Sequence, residues 1–510
     1  MITLQLTLFE RIMRKQVFRY ASFAIVLLVA FAVRLYKIDS PLWLDEIFGY
    51  RLARLGVEAI IQNSWTDPHP PFYYLMQWVV SGFGYTQSEI GWRWIPLLSG
   101  VLAIAVTGII VRDITDSFTT IIICLIAATL PTLVFYSQEA RSFSFLILLA
   151  SLSMWFIVTI LRDPYVGRRL WTGWIITSLL GLFTGYAYLM VASIQLAFLG
   201  FYFYRRAVWW VATVIIIIGL LILLPFMASS LAGVASQHVG AKPLTFWRTV
   251  QTLFAGEPIR YGFSLSHTIL PLAVIGLYIV AFIKTIRLGD NRLAYFLIQV
   301  ALPMGMFFAL SPLLSIRLPL SEAKQFVILI PACLVLIASG LAELRHRLGH
   351  RNGTLLVTAV CGAMIFLNAI GLQSYWTYPK SPEGLAIFGL RDKLQAGEAV
   401  VSLHYSLNYA LGFYTSGIPI YLNPMQDGDS YRYRLITTEH IFDPLLISPS
   451  WIGTENIRAS GKFWVLAHSA SFREPIVSLI SGCQILEQEK FSALNGSFEI
   501  MKVDCANDRE

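Results

Sequence analysis

Long apolar runs alternate with short polar breaks up to about residue 373, and short apolar runs alternate with turns after that. A helix needs about 20 apolar residues to cross a hydrocarbon core. Eleven segments approach that length: 18–36, 93–111, 118–136, 142–161, 171–187, 190–204, 208–230, 268–286, 293–311, 325–343 and 354–373. The 190–204 run is short, and 171–204 also reads as one long helix. The apolar run Pro71–Tyr85 opens on Pro70-Pro71 and carries Gln77. Phe72–Val80 therefore reads as an interfacial helix, with a short spanning helix as the alternative. Upstream, Leu44, Ile47, Phe48, Leu52, Leu55, Ala59 and Ile60 recur near helical spacing and predict a helix over Leu44–Ile61.

Basic residues orient this pattern. With the N-terminus inside, the inner stretches hold sixteen Lys and Arg, among them Arg11, Arg14, Arg162, Arg168, Arg287 and Arg345. The outer loops after the first hold six: Arg141, Lys242, Arg248, Arg260, Arg317 and Lys324. The asymmetry predicts a cytoplasmic N-terminus and a C-terminal region outside the cytoplasm. Treating Phe72–Val80 as a span would invert the next loops and put Arg162, Arg168 and Arg169 outside. Residues 1–17 are basic and lack a small-residue cleavage site, so the first apolar run reads as a retained helix.

After about residue 374 the period changes. Glu398–Leu403, Phe463–Leu466, Gln484–Glu489 and Phe498–Val503 read as strands, and Ser406–Thr415 as a helix. The expected organisation is a membrane all-α domain over 1–373 and a soluble, extracytoplasmic α/β domain over 374–510. Asn495-Gly496 predicts a hairpin turn. Such a turn brings Cys483 near Cys505 but misses direct pairing by about three positions, so a disulfide and two separate thiols both fit.

Composition agrees. The chain of 510 residues is 56% hydrophobic and 13% charged, about half the charge of a soluble protein, and its mean hydropathy is +0.65. The net charge of +8 is spread over short clusters between apolar runs, which argues for loops facing the cytoplasm and against nucleic acid. No phosphate-binding glycine loop, CxxC pair or repeat is present.

Four polar constellations stand at the predicted outer face. Asp45 and Glu46 follow the first run; they fit a general base, and equally the acidic first turn of a helix. Asp67-Pro68-His69-Pro70-Pro71-Phe72-Tyr73-Tyr74 ends the first loop, where Asp67 also fits an N-cap. Gln138-Glu139-Ala140-Arg141 joins two runs; it reads as a Glu139–Arg141 ion pair or as the charged wall of an outward cavity. Arg317 and Lys324 precede the tenth run, where a cation suits a lipid-linked phosphate or snorkels to headgroups.

The order of these motifs resembles the GT-C glycosyltransferases related to protein O-mannosyltransferases and to lipid A aminoarabinose and galacturonic acid transferases. Trp43-Leu44-Asp45-Glu46 matches their W-x-D-E, His69-Pro70-Pro71-Phe72-Tyr73-Tyr74 their H-P-P-[LF]-Y-Y, and Arg93, Pro96 and Gly100 the opening of the second span. The likeness is specific over 41–145 and loose onward to 345. It implies transfer of a monosaccharide from a polyprenyl-phosphate donor to a lipid, glycan or protein acceptor. Inversion follows, with Asp45 as base supported by Glu46. Asp67, His69, Glu139, Arg141, Tyr186, Arg317 and Lys324 are then the substrate-binding set. Where relatives carry Arg-Tyr before the tenth span, this chain has Lys324 with Gln325-Phe326. Where they carry His-Tyr between the fifth and sixth spans, it has Tyr186-Ala187-Tyr188. No cofactor and no metal are expected, since no His/Asp cluster has ligand spacing; the likeness adds a divalent ion at Asp45 and Glu139 as the lesser reading, and it implies the plasma (inner) membrane of a bacterium. A transporter, a lipid-linked glycan ligase or polymerase, and a non-catalytic envelope assembly protein are the rival classes.

Overall fold

The computed structural model describes residues 20–505, apart from 66, 68, 83–87, 164–166, 238–244, 257–265, 315–322, 378–381, 396–397, 404, 416–417, 428–429, 438–450, 469–472 and 494–495. Arg317 lies outside the described residues. The helices of the first three-quarters are α1 (Tyr20–Leu35), α2 (Leu44–Leu55), α3 (Val57–Asn63), α4 (Phe72–Val80), α5 (Glu89–Ile114), α6 (Ser117–Thr129), α7 (Pro131–Ser137) and α8 (Phe143–Arg162). They continue as α9 (Arg168–Thr184), α10 (Leu189–Phe203), α11 (Ala207–Gln237), α12 (Phe246–Ala255), α13 (Ser266–Leu288), α14 (Asn291–Leu314), α15 (Ile330–Arg347, led in by a 3-10 stretch, Ala323–Leu329) and α16 (His350–Thr377).

All eleven apolar runs of the sequence are helical. Among the described residues eight helices are long and apolar enough to cross a membrane, and α6 with α7 makes a ninth, bent by 59°. The runs at 18–36 and 171–187 are present as the shorter α1 and α9. The protein is thus an integral membrane protein. The helix expected over Leu44–Ile61 breaks at Gly56, whose φ of 89° is a conformation other residues rarely take.

Two compact units form. One comprises Met1–Ile38, Leu55–Gly84 and Trp92–Ser374; the other comprises Asp39–Arg54, Tyr85–Gly91 and Tyr375–Glu510.

In the first unit the span Ala323–Arg347 is almost wholly buried, and Ala207–Ser230 is mostly exposed to the surroundings. Gly340 lets α15 lie on α13, since a Cβ there would sit 2.5 Å from the Leu277 carbonyl oxygen. Ion pairs tie together the helix ends assigned inward by charge: Arg162–Asp113 at 3.9 Å, Arg345–Asp116 at 2.9 Å and Arg287–Glu343 at 3.6 Å. Asp116 also caps α6 by accepting from Phe118 N and Thr119 N, a contribution of about 1 kcal/mol. Gln77 anchors α4: it is buried, and its amide donates to Tyr73 Oη at 2.8 Å and to the Trp92 carbonyl at 2.9 Å.

The second unit carries a seven-stranded sheet. Its strands are β1 (Ala399–Ser402), β2 (Pro419–Asp427), β3 (Ser430–Thr437), β4 (Trp451–Gly453), β5 (Lys462–His468), β6 (Gln484–Ala493) and β7 (Gly496–Asp504), in the order β4-β3-β2-β1-β5-β7-β6. β1 is parallel to β2 and β5, and the other pairs are antiparallel. Helices α17 (Pro382–Arg391) and α18 (Tyr405–Tyr414) pack on the sheet, α17 on β6 and β7 and α18 on β1 and β2. α19 (Thr454–Arg458) and α20 (Arg473–Ile480) contribute Ile457 and Leu479 to the core of Val401, Phe463, Val465 and Val503.

Cys483 and Cys505 are disulfide-bonded. The hairpin closes at Ala493↔Gly496, two positions earlier than a turn centred on Asn495-Gly496 would set it. A one-residue bulge between Ile485 and Glu487 takes up the third position.

Candidate functional site

The loop between α3 and α4 builds the first part of the site. Asp67 N donates back to Asn63 O at 2.9 Å. Asp67 Oδ1 then accepts from His69 N at 2.8 Å, a side-chain turn two residues on. The N-cap of α4 is Pro71, so Asp67 does not fill the capping role the sequence also allowed it. The same Oδ1 meets His69 Nδ1 at 2.8 Å, and both side chains are largely buried.

Arg141 arrives from the turn between α7 and α8. Its Nη2 lies 3.2 Å from His69 Nε2. Arginine can only donate, so Nε2 must accept and Nδ1 must carry the proton toward Asp67. One neutral tautomer satisfies both neighbours, and an imidazolium would lose the arginine. The guanidinium lies 5.3 Å from the Phe143 ring centre, and His69 stands edge-on to the same ring at 6.4 Å. Burial alone would raise the Asp67 pKa. The hydrogen bonds from His69 and the charge of Arg141 outweigh it and hold the carboxyl below its ordinary value.

The segment Gln138–Arg141 divides its labour. Gln138 Nε2 donates to Arg34 O at 2.8 Å and Tyr36 O at 2.6 Å, closing the end of α1. Arg93 Nη1 donates to Ile38 O at 2.6 Å. Together they hold Lys37 at a φ of 57°, which costs a non-glycine residue about 1 kcal/mol. The Glu139–Arg141 ion pair suggested by sequence does not form: Glu139 is buried, and its Oε2 has no hydrogen-bond partner. Tyr186, in the 3-10 turn Tyr186–Tyr188, has a buried hydroxyl that also lacks a partner, within reach of the Asp67 charge. Such atoms lose free energy unless a ligand or water pairs them.

Arg34 is a residue the sequence reading passed over. It is fully buried, and its guanidinium donates to Ser137 Oγ and to the carbonyls of Ala30, Ala127 and Ala128 at 3.0, 3.0, 3.5 and 3.0 Å respectively. The last two carbonyls end α6, where Leu130 turns extended and Pro131 starts α7. A cation suits a helix C-terminus, and here it fixes the elbow that aims Gln138–Arg141. An arginine near the end of an apolar run was the available signal.

Lys324 is the second residue of the 3-10 stretch Ala323–Leu329, which packs on α8 and on the Tyr186–Tyr188 turn. The first unit thus joins Asp67, His69 and Arg141 directly and brings the elements of Tyr186 and Lys324 together. An apolar cavity of about 400 Å³ lies between α12, α13, α14 and α15, lined by Phe254, Tyr278, Met304, Phe308, Cys333 and Leu336. Among the described residues no group of three or more His, Cys, Asp or Glu has a metal-holding arrangement.

Asp45 and Glu46 belong to the second unit. Trp43 caps α2, and Glu46 at the third helical position reaches back so that its Oε2 accepts from Trp43 N at 3.2 Å. That is one arm of a capping box. Glu46 is buried, while Asp45 is only half-buried. Of the two adjacent acids, one builds the helix start and the other stands beside it.

No family model and no curated protein matches the chain. Solved structures do match. ArnT from Cupriavidus metallidurans in the apo state aligns with a TM-score of 0.59 at 12% identity, covering 96% of this chain and 98% of that one. The same protein bound to undecaprenyl phosphate gives 0.55 at 13%, covering 95% and 97%. The Archaeoglobus fulgidus oligosaccharyltransferase complex with Zn and sulfate gives 0.52 at 15%, covering 77% of this chain and 61% of that one.

Proposed function

On the premise that this chain has the GT-C glycosyltransferase fold, set in a membrane, we propose that it moves a monosaccharide from a polyprenyl-phosphate donor to a lipid, glycan or protein acceptor outside the cytoplasm. The Asp45 carboxylate takes the proton of the acceptor hydroxyl. The acceptor oxygen attacks the anomeric carbon, the bond from that carbon to the phosphate oxygen breaks, and the electron pair leaves with the lipid phosphate. A single displacement inverts the anomeric centre. The leaving group is already a phosphate, so it needs a cation more than a proton. Arg141 supplies that cation, with Lys324 and Arg317 as further positive charge. Glu139 and Tyr186 pair sugar hydroxyls, and the apolar cavity holds part of the isoprenoid chain.

The observation that carries this reading is the bonded chain Asp67–His69–Arg141, a half-buried cation oriented by a largely buried carboxylate within a GT-C fold. Two observations support an extracytoplasmic site. The basic residues favour the opposite face, and the disulfide Cys483–Cys505 in the sheet unit suits an oxidising compartment.

The test is transfer of radiolabelled sugar from purified polyprenyl-phosphate donors by the parent protein and by Asp45→Asn. Transfer by the parent and its loss in the variant, at equal folding, is the expected result. Equal transfer by both removes Asp45 as base. No transfer by either, across a broad donor panel, favours a transporter or an assembly protein. Transfer is expected to persist in EDTA; its loss and recovery with a divalent ion would assign Asp45 to a metal instead.

A further inference from the structure

The sheet domain has no part in the chemistry proposed above, yet the acid-bearing helix α2 belongs to the same compact unit. The segment Asp39–Arg54 lies hundreds of residues upstream of α18 and is fastened to its last turn at two points. Leu42 N donates to Tyr414 Oη at 2.7 Å. Leu42 is fully buried and precedes the helix, so no helical carbonyl is within its register to accept that proton. Eight residues on, the buried Tyr50 stands edge-on to Phe413 with ring centres 4.7 Å apart. Asp45 lies between these two anchors.

The anchors are themselves packed into the unit. Tyr414 packs edge-on against Phe388 of α17 at 4.6 Å and against Phe413 at 4.7 Å. Leu407, Ala410 and Leu411 of α18 are fully buried, and α18 packs on β1 and β2 at the middle of the sheet. Glu46 turns back onto the helix start, and Asp45 sits in the first turn of the same helix, so a shift of α2 carries Asp45 with it.

We infer that the C-terminal sheet domain is the positioning device for the acid of the first loop, with Tyr414 and Phe413 as positioning residues for Asp45. This rests on the reading of Asp45 as base. Misplacing a reacting group by about 1 Å costs up to about a hundredfold in rate while leaving binding intact. Loosening the clamp should therefore lower kcat and spare the donor KM.

The experiment uses the full chain in lipid nanodiscs and compares the parent with Tyr414→Phe, which removes only the hydroxyl. Hydrogen exchange read on peptides covering 39–54 should rise about tenfold at Leu42, with peptides from β5 to β7 unchanged. In the transfer assay kcat should fall about tenfold with donor KM unchanged. Phe413→Leu keeps the hydroxyl and is the second variant if Tyr414→Phe disturbs exchange across the whole sheet; it should show the same kcat and KM split. Unchanged exchange at 39–54 overturns the clamp. Raised exchange with unchanged kcat overturns the positioning role. Failure of the base assignment is seen separately, as transfer surviving in Asp45→Asn, and the clamp then stands or falls on the exchange at Leu42 alone.

Discussion

Replacing Asp67 by asparagine should disorient Arg141 without touching it. The Asp67 carboxylate accepts from His69 N and from His69 Nδ1, both at 2.8 Å, and from Asn63 Nδ2 at 3.4 Å. Hydrogen bonds to a buried charged group contribute about 1.5–3 kcal/mol each. Both His69 bonds end on Oδ1, which asparagine can keep; what it loses is the carboxylate charge that strengthens them, and Asn63 Nδ2 then faces an N–H donor, so about 2 kcal/mol of that orientation is lost. The imidazole is also freed to take its other tautomer, which aims an N–H at the N–H of Arg141. Expressed wholly in the transition state, this is a loss of about thirtyfold in kcat/KM. The assay is steady-state transfer from a polyprenyl-phosphate donor, with Arg141→Ala as the reference for full loss of the cation. The folded pKa of Asp67 lies below its unfolded value. Its contribution is therefore complete above about pH 4 and lost only as pH falls through the folded pKa. The ratio of parent to variant should stay flat between about pH 5 and 8. Asp67→Asn within about threefold of the parent, beside an inactive Arg141→Ala, would refute the relay through His69.

Glu46→Gln keeps an acceptor for Trp43 N and should cost less than about tenfold in transfer, against about 10²–10⁴ for removal of a general base in Asp45→Asn; equal losses would merge the two acids into one role. Of five cysteines, Cys124, Cys333 and Cys361 are free. Maleimide labelling of the denatured chain made in its own membrane should thus add three groups before reduction and five after; five before reduction would mean the sheet unit sits in a reducing compartment. Replacing Cys483 and Cys505 by serine opens a link across 22 residues and should destabilise the sheet unit by about 3 kcal/mol, read by chemical unfolding. Burial raises the Glu398 pKa, but Lys502 at 2.6 Å and the Trp464 N–H at 2.8 Å lower it further, so the net shift is downward. Its stabilisation is present above about pH 4.5 and fades in more acid solution, a pH dependence that Glu398→Gln should abolish in thermal melts.

The sequence alone determined what depends on neighbours along the chain. Helices stand at all eleven apolar runs, Phe72–Val80 is a short helix, and β1, β5, β6 and β7 stand where short apolar runs alternate with turns. Those features follow from local periodicity and from the 20-residue requirement of a bilayer. The likeness of 41–145 to one group of transferases also pointed to the fold that the solved structures share. β2 escaped notice because Pro424 breaks its pattern, and β3 with it, although Gly428-Asp429 between them was a hairpin signal in the sequence. Tertiary structure decided the rest. It set which carbonyls Arg34 and Gln138 take across about a hundred residues, which of Asp45 and Glu46 turns back onto the start of α2, and that His69 joins Asp67 to Arg141. It also fixed the bulge that brings Cys483 to Cys505, and it gave the first-loop acids to the sheet unit through Tyr414. Each of these is a directional bond or close packing between segments far apart in sequence. Composition and spacing say which groups are available, but only the folded chain sets the distance between them.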